Sequence, residues 1–160
     1  MRRVLGALGA AVTVCGAVFF VGMRRKTPAV LRQVKRASRR MKPLVLKKAG
    51  TAGNPNSVVR HVGRRSGTSY ETPVVAARTD TGFVIALPYG DTTDWVRNVV
   101  AGGGATVVHD GAEYRTEHPE VIDLTDANPY FAEREQRAHR RFKVAQALEL
   151  TTSGFGSTPS

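Results

Sequence analysis

From residue 57 onward the chain consists of short stretches rich in β-branched and aromatic residues, separated by glycine, proline, aspartate or asparagine. Apolar stretches this short and this closely spaced predict an antiparallel sheet or small barrel. The predicted strands are residues 57–62, 70–78, 83–88, 105–109 and 112–121. The dipeptide Asp110-Gly111 between the last two is the strongest hairpin signal, and residues 80–82 give the next.

Two helical segments are predicted beside this sheet. Thr92 or Thr93 caps a helix that runs through Val100 and ends at the three glycines 102–104. A second helical stretch begins near residue 126 and continues, broken near residue 139, to residue 150. Residues 151–160, rich in Ser, Thr and Gly, predict a disordered tail. The expected fold class is therefore α+β, with one inserted helix and a C-terminal helical segment.

The N-terminal region has a different character. Residues 4–23 contain no charged side chain. A helix rises about 1.5 Å per residue, so this stretch would span the roughly 30 Å of a bilayer's hydrocarbon core. We therefore expect residues 1–23 to form a hydrophobic membrane anchor helix, with a cleaved signal peptide or a merely membrane-associated helix as alternatives.

Charge is unevenly distributed along the chain. The formal net charge is +11, but residues 1–70 hold 16 Lys and Arg and no acidic residue, whereas residues 71–160 hold 8 against 13 Asp and Glu. Residues 24–50 therefore predict a basic juxtamembrane linker to the domain at 51–150. Such linkers favour anionic lipid of the cytoplasmic leaflet, so the domain should face the cytoplasm. A basic tether without lipid specificity is the alternative. Aromatic residues for base stacking are absent from the linker, so nucleic acid is not an expected partner.

Cysteine and histidine usage excludes several chemistries. Cys15 is the single cysteine, so neither an intramolecular disulfide nor a thiolate metal cluster is available. The four histidines show no paired spacing typical of metal ligands, so no metal site is expected.

A cationic turn is predicted between the first two strands. The sequence Gly63-Arg64-Arg65-Ser66-Gly67 combines guanidinium groups, a hydroxyl and glycines that free backbone N–H groups. These groups suit a cradle for phosphate or carboxylate oxygens. A solvated basic turn remains the alternative.

Further along, residues 87–90 lead into a helix whose first turn holds Asp94 and Trp95. That helix start could face a ligand, or these two residues could serve as a first-turn charge and a core side chain.

Together these residues resemble the deazaflavin-dependent nitroreductases, within the split-barrel flavin and deazaflavin oxidoreductases. The likeness covers residues 58–121, and the order and spacing of its short segments are fairly specific. The segments are His61-Val62-Gly63-Arg64-Arg65-Ser66-Gly67, Thr72-Pro73-Val74-Val75, Ala86-Leu87-Pro88-Tyr89-Gly90, Asp94-Trp95-Val96-Arg97-Asn98 and Ala101-Gly102-Gly103. The resemblance implies an FMN-binding-like split β-barrel that holds coenzyme F-420, an 8-hydroxy-5-deazaflavin with a phosphodiester and an oligoglutamate tail.

The resemblance also implies roles for individual residues. The phosphate and acidic tail would contact Arg64, Arg65, Ser66 and Gly67. The deazaflavin would lie along Pro73 and Val75. The ring site would be shaped by Leu87, Pro88, Tyr89, Gly90, Trp95 and Asn98. The cofactor would supply the hydride, so no catalytic side chain is assigned.

The electron acceptor is less defined by sequence. Relatives line their acceptor pocket with tyrosines of a C-terminal helix, where this chain has Tyr130 and Phe131 followed by a charged run. A quinone, an enone or a nitroaromatic is the expected class of small-molecule acceptor. The alternatives are a barrel that binds FMN or haem, and a non-catalytic, membrane-tethered cofactor-binding module. A homodimer is suggested by the resemblance alone.

Overall fold

The structure is a computed structural model that describes residues 49–153. The predicted anchor helix, nearly all of the predicted linker and most of the predicted tail lie outside these residues. Within residues 49–153, every helix is too short or too polar to cross a bilayer.

In the part of the chain that the structure describes, seven strands form one antiparallel sheet. They are β1 (Ser57–Val62), β2 (Ser69–Val74), β3 (Ala76–Arg78), β4 (Gly82–Ala86), β5 (Gly104–His109), β6 (Ala112–Asp123) and β7 (Gln146–Thr152). Their order across the sheet is β2-β1-β5-β6-β7-β4-β3. The predicted first strand is confirmed residue for residue, and the predicted fourth and fifth strands are confirmed to within two residues at either end.

The sheet curls because its two edges are joined by one residue. β2 and β3 are the edge strands, yet Val75 alone separates them in sequence. Two Cα atoms two residues apart are at most about 7 Å from each other, so the two edges meet at this point. The sheet is therefore a curled half-barrel, and the predicted single strand at 70–78 is two strands that belong to opposite edges.

Within residues 49–153, three α-helices complete an α+β fold. Helix α1 (Asp94–Ala101) lies between β4 and β5, as predicted, and ends at Gly102 and Gly103. After β6 come α2 (Leu124–Ala127), a 3-10 turn at Asn128–Tyr130, and α3 (Glu133–Phe142).

Each face of the sheet has its own hydrophobic cluster. The inner cluster packs Val96 and Val99 of α1 against strand residues such as Val59, Phe83 and Leu148, all of which are almost fully buried. The outer cluster comprises Val84, Leu124, Ala127, Phe131 and Ala147. Burying one large aliphatic or aromatic side chain stabilises a fold by about 1.5–3 kcal/mol. Consequently the inner cluster fixes α1 against the concave face of the sheet.

The Asp110-Gly111 hairpin is confirmed. Both residues have positive φ, 49° and 82°, as a type I′ turn requires. The turn also binds the start of the described chain, because Asp110 Oδ1 accepts a hydrogen bond from the Gly53 amide at 2.7 Å.

The C-terminal prediction is wrong in one respect. The helical stretch expected to reach residue 150 ends at Phe142, where Lys143 adopts a left-handed conformation with φ of 50°. Residues from Gln146 then form β7, which pairs with β6 and β4. β4 and β6, which are distant in sequence, pair with the two edges of this segment. This strand pairing outweighs the helical pattern of the segment's own residues. The domain accordingly extends past residue 150, and Thr151 and Thr152 belong to a strand rather than to a disordered tail.

Candidate functional site

A cleft of about 570 Å³ lies between the β1–β2 turn, the facing part of β2 and the first turns of α1. Ligand pockets in proteins commonly have volumes of about 300–1,000 Å³. The lining residues are His61, Gly63, Arg64, Arg65, Ser66, Tyr70, Thr72, Asp94, Trp95 and Asn98. Five of the predicted site residues, Arg64, Arg65, Ser66, Trp95 and Asn98, are therefore together in one cleft.

The β1–β2 turn is held in shape by its own backbone. The Gly63 amide donates to the Thr68 carbonyl, and the Gly67 amide donates to the Gly63 carbonyl, each at 2.8 Å. A Cβ at position 63 would lie 2.5 Å from Ser66 Oγ and 2.7 Å from the Tyr70 ring, so any other residue here would displace these two side chains. Gly67 has φ of 66° and closes the turn, but it is not among the cleft-lining residues.

Arg64 is bound to helix α1. Its Nη1 donates to Asn98 Oδ1 at 2.8 Å, and its Nη2 forms an ion pair with Asp94 Oδ1 at 3.2 Å. Its backbone amide also donates to Asn98 Oδ1, at 3.2 Å. The Arg64 side chain is only 22% exposed as a result. These contacts bind the cationic turn to the helix.

A chain of polar side chains continues inward from Arg64. Since Asn98 Oδ1 accepts from Arg64, its Nδ2 is the atom that donates to His61 Nδ1, at 3.3 Å. The hydrogen of the neutral His61 ring is then on Nε2, which lies 3.2 Å from Thr72 Oγ1. Asn98 and His61 are both 7% exposed. This network orients the amide that holds Arg64.

Two further features define the cleft. Arg65 is exposed and, within residues 49–153, forms no ion pair. The Tyr70 ring stacks on the His61 ring at 5.8 Å, and its hydroxyl lies 3.3 Å from Ser66 Oγ. Trp95 is partly buried against the inner cluster. The cleft therefore combines an available guanidinium group with aromatic surface.

The remaining predicted cofactor residues do not line this cleft. Leu87 is a core residue at 2% exposure, and Pro88, Tyr89 and Gly90 form the turn that leads toward α1. Burial raises the pKa of the Tyr89 hydroxyl. Val75 packs against the outer cluster.

Pro73 alternates with Thr72 along β2. It pairs with Val58, whereas Thr72 pairs with Val59 of the inner cluster. Successive strand residues point to opposite faces, so Pro73 faces away from the cleft.

The two predicted acceptor residues are also elsewhere. Phe131 is 3% exposed and packs in the outer cluster, with its ring edge-on to His139 at 4.8 Å. Tyr130 is 50% exposed on the neighbouring 3-10 turn. The structure thus places both residues in the helical layer on the outer face of the sheet, and neither lines the cleft.

Four lining residues lie outside both the predicted cationic turn and the predicted ring site: His61, Tyr70, Thr72 and Asp94. For the first three, strand alternation carries a usable signal, because His61 follows Val59 on the inward face of β1 and lies directly opposite Tyr70. The sequence places Asp94 at a helix start that could face a ligand, but its pairing with Arg64 spans thirty residues of sequence and has no local signal.

Other possible sites are less developed. A cleft of about 690 Å³ beside α3 is lined by residues of mixed charge, including Asp123, His139, Arg140 and Lys143. Burial lowers the pKa of His139 there. A third cleft, of about 440 Å³, lies by Gly102 and Gly103. Between residues 49 and 153, no group of three His, Cys, Asp or Glu side chains is placed to bind a metal.

Comparison with known proteins adds little about function. No protein-family model and no curated protein matches the chain. Among solved structures it is similar to the protein Atu2129 of Agrobacterium tumefaciens str. C58, whose function is described as unknown. The identity is 12% and the TM-score 0.48, and the similarity covers 71% of this chain and 55% of that one. The chain thus spans about half the length of this neighbour.

Proposed function

We propose that the domain is an oxidoreductase that binds reduced coenzyme F-420 and passes a hydride from it to an electron-poor small molecule. The supporting observation is the cleft itself. It brings the Arg64-Arg65-Ser66 turn, the part of the sequence best suited to a phosphate, beside the Tyr70 and Trp95 rings. The finer assignment of the curled sheet as a split β-barrel belongs to the same proposal.

The donors in the cleft fit the acidic part of such a cofactor. Arg65 offers a guanidinium group without an ion-pair partner in the described chain, and Ser66 offers a hydroxyl. Charge-assisted hydrogen bonds of this kind are about twice as strong as neutral ones. When bound, the reduced deazaflavin supplies the hydride at its ring carbon C5.

The chain's own residues provide binding and positioning. Asn98 and Asp94 hold Arg64, so the turn presents Arg65 and Ser66 in a fixed geometry. Tyr70 and Trp95 offer apolar surface to a ring and exclude water from it. Contacts of the ring with Pro73, Val75 and residues 87–90 stay predictions of the resemblance.

The N-terminal segment gives the proposed enzyme its location. A hydrophobic helix at 1–23 followed by the basic linker would anchor the domain at the cytoplasmic leaflet. A membrane-anchored domain meets a lipid-soluble quinone without leaving the bilayer, which makes a quinone the preferred acceptor among the quinone, enone and nitroaromatic classes.

Cofactor titration tests the proposal. The full-length chain, in a non-ionic detergent, is titrated with oxidised F-420, FMN and haem while Trp95 fluorescence is followed. Trp95 is the single tryptophan and lines the cleft. We expect saturable quenching by F-420 and oxidation of reduced F-420 when a soluble quinone is added.

Arginine variants locate the binding. Arg65→Ala is expected to weaken F-420 binding about tenfold to a hundredfold, since a charge-assisted contact contributes about 1.5–3 kcal/mol. Arg97→Ala, an exposed arginine of α1 outside the cleft, is the matched control and should bind normally. If only FMN or only haem quenches the fluorescence, that compound is the cofactor and the F-420 assignment is wrong. Binding of F-420 without turnover of any acceptor would leave a non-catalytic binding module.

A further inference from the structure

The cleft contains a carboxylate that has no place in a simple anion cradle. Asp94 lines the cleft beside Arg64 and Arg65, and its side chain is 78% exposed. Its Oδ1 is 3.2 Å from Arg64 Nη2. A phosphate that contacted Arg64 would therefore share the guanidinium group with a negative charge.

Arg64 has few donors left for a ligand. A guanidinium group carries five N–H donors. Arg64 uses three of them on Asp94 Oδ1, the Asp94 carbonyl and Asn98 Oδ1. Arg65 has none of these contacts. The two adjacent arginines thus have different roles: Arg64 fastens the turn to α1, and Arg65 is the available cation.

Arg64, Arg65 and Asp94 are the Arg, Lys, Asp or Glu residues among those that line the cleft. His61 Nδ1 faces the Asn98 amide nitrogen at 3.3 Å, and the other side chains that line the cleft are Ser, Thr, Tyr, Trp and Asn, which carry no formal charge. Arg64 and Arg65 are opposed by Asp94, so these three side chains together carry one formal positive charge.

We propose that Asp94 is a specificity-determining residue that makes this cleft select a singly charged phosphodiester over a doubly charged phosphomonoester. One net positive charge balances a phosphodiester. The second charge of a monoester held by Arg64 and Arg65 would face repulsion from the Asp94 carboxylate, which lines the same cleft and pairs with Arg64. The inference rests on the proposed function in placing a phosphate ester in the cleft, and it narrows the class of ester.

Two small esters test the charge preference directly. Methyl phenyl phosphate and phenyl phosphate differ by one methyl group and, at about pH 8, by one charge, because the second pKa of a phosphomonoester is about 6. Each is titrated into the full-length chain in non-ionic detergent, with Trp95 fluorescence as the readout. The wild type should bind the diester at least as tightly as the monoester.

Removing the carboxylate should shift the affinity ratio toward the monoester. Asp94→Asn is expected to raise affinity for phenyl phosphate about fivefold more than affinity for methyl phenyl phosphate, since the monoester carries one more charge to be repelled. Asp80→Asn, at the exposed turn between β3 and β4, removes the same formal charge away from the cleft and should leave the affinity ratio unchanged.

Three results would overturn the inference: a wild type that prefers the monoester, an unchanged ratio in Asp94→Asn, or an equal change in Asp80→Asn. A lack of Trp95 response to either ester would do so as well. If F-420 fails to bind while the ester order holds, the proposed function falls and the charge selection stands. If F-420 binds but Asp94→Asn leaves the affinity ratio unchanged, the charge selection falls and the proposed function stands.

A lipid headgroup is also a phosphodiester, so a last arm separates the two sources. Short-chain phosphatidylglycerol is titrated against the F-420-loaded wild type. Displacement of F-420 identifies a lipid phosphodiester as an occupant of the same cleft, and no displacement identifies the soluble cofactor. Both results agree with selection of a singly charged diester.

Discussion

Replacing Asn98 with alanine is expected to destabilise the domain by about 2–3 kcal/mol. The substitution removes the acceptor for the Arg64 amide and guanidinium group and the donor to His61. A hydrogen bond to a charged group contributes about 1.5–3 kcal/mol and a neutral one about 1 kcal/mol. Water that enters the open cleft replaces some of the lost hydrogen bonds and so reduces the loss of stability. Alanine regains roughly 0.5 kcal/mol through its higher helix propensity.

Thermal unfolding followed by far-ultraviolet circular dichroism measures this loss. A domain of about 100 residues loses roughly 4–8 °C in Tm per kcal/mol, so Tm should fall by about 10–20 °C. Val100→Ala is the matched control on the same helix, because Val100 is 46% exposed. Surface changes of that kind usually stay within about 0.5 kcal/mol. If Asn98→Ala unfolds within about 2 °C of that control, the network does not hold the turn to the helix.

Three other predictions follow from single features of the fold. In Gly82→Ala, the new Cβ would overlap the Leu150 carbonyl oxygen, so we expect a loss of several kcal/mol in a chemical denaturation experiment. Gly53→Ala, where space is open and only the positive φ opposes a side chain, should cost about 1–2 kcal/mol. Burial lowers the pKa of His109 and His139 below the ordinary value of about 6.5. The unfolded chain therefore binds more protons just below that pH, and Tm should fall on acidification through this window, less steeply in a His109→Gln/His139→Gln double variant. Asp110→Ala should cost about 1–2 kcal/mol in thermal unfolding because it loses both the left-handed preference and the bond to Gly53, whereas Asp110→Asn should cost less.

Local patterns were enough to locate most of the sheet. The alternation at residues 57–62 and the Asp110-Gly111 turn depend only on neighbours in sequence, and both agree with the structure. β7 could not be found in this way, because its stability comes from pairing with β6 and β4 rather than from its own residues. The break at Val75 was missed for the same reason.

The candidate site was predictable only in part. The Arg64-Arg65-Ser66 turn was recognisable from residue chemistry, and its closeness to Trp95 and Asn98 followed from the resemblance. The difference between the two arginines could not be foreseen, because it depends on Asp94 contacting Arg64 across thirty residues. Strand alternation in β1 is enough to predict the inward orientation of His61, which follows Val59 on the same face.

The central position of β7 has a consequence for biosynthesis. The β3–β4 hairpin reaches β6 only through β7, so β4 and β6 each lack a partner on one side until residues 146–152 have been synthesised. During that interval β4 and β6 each present an unpaired edge, the kind of surface that recruits other chains. A premature stop codon before residue 146 would produce a chain without β7, in which these edges of β4 and β6 stay unpaired.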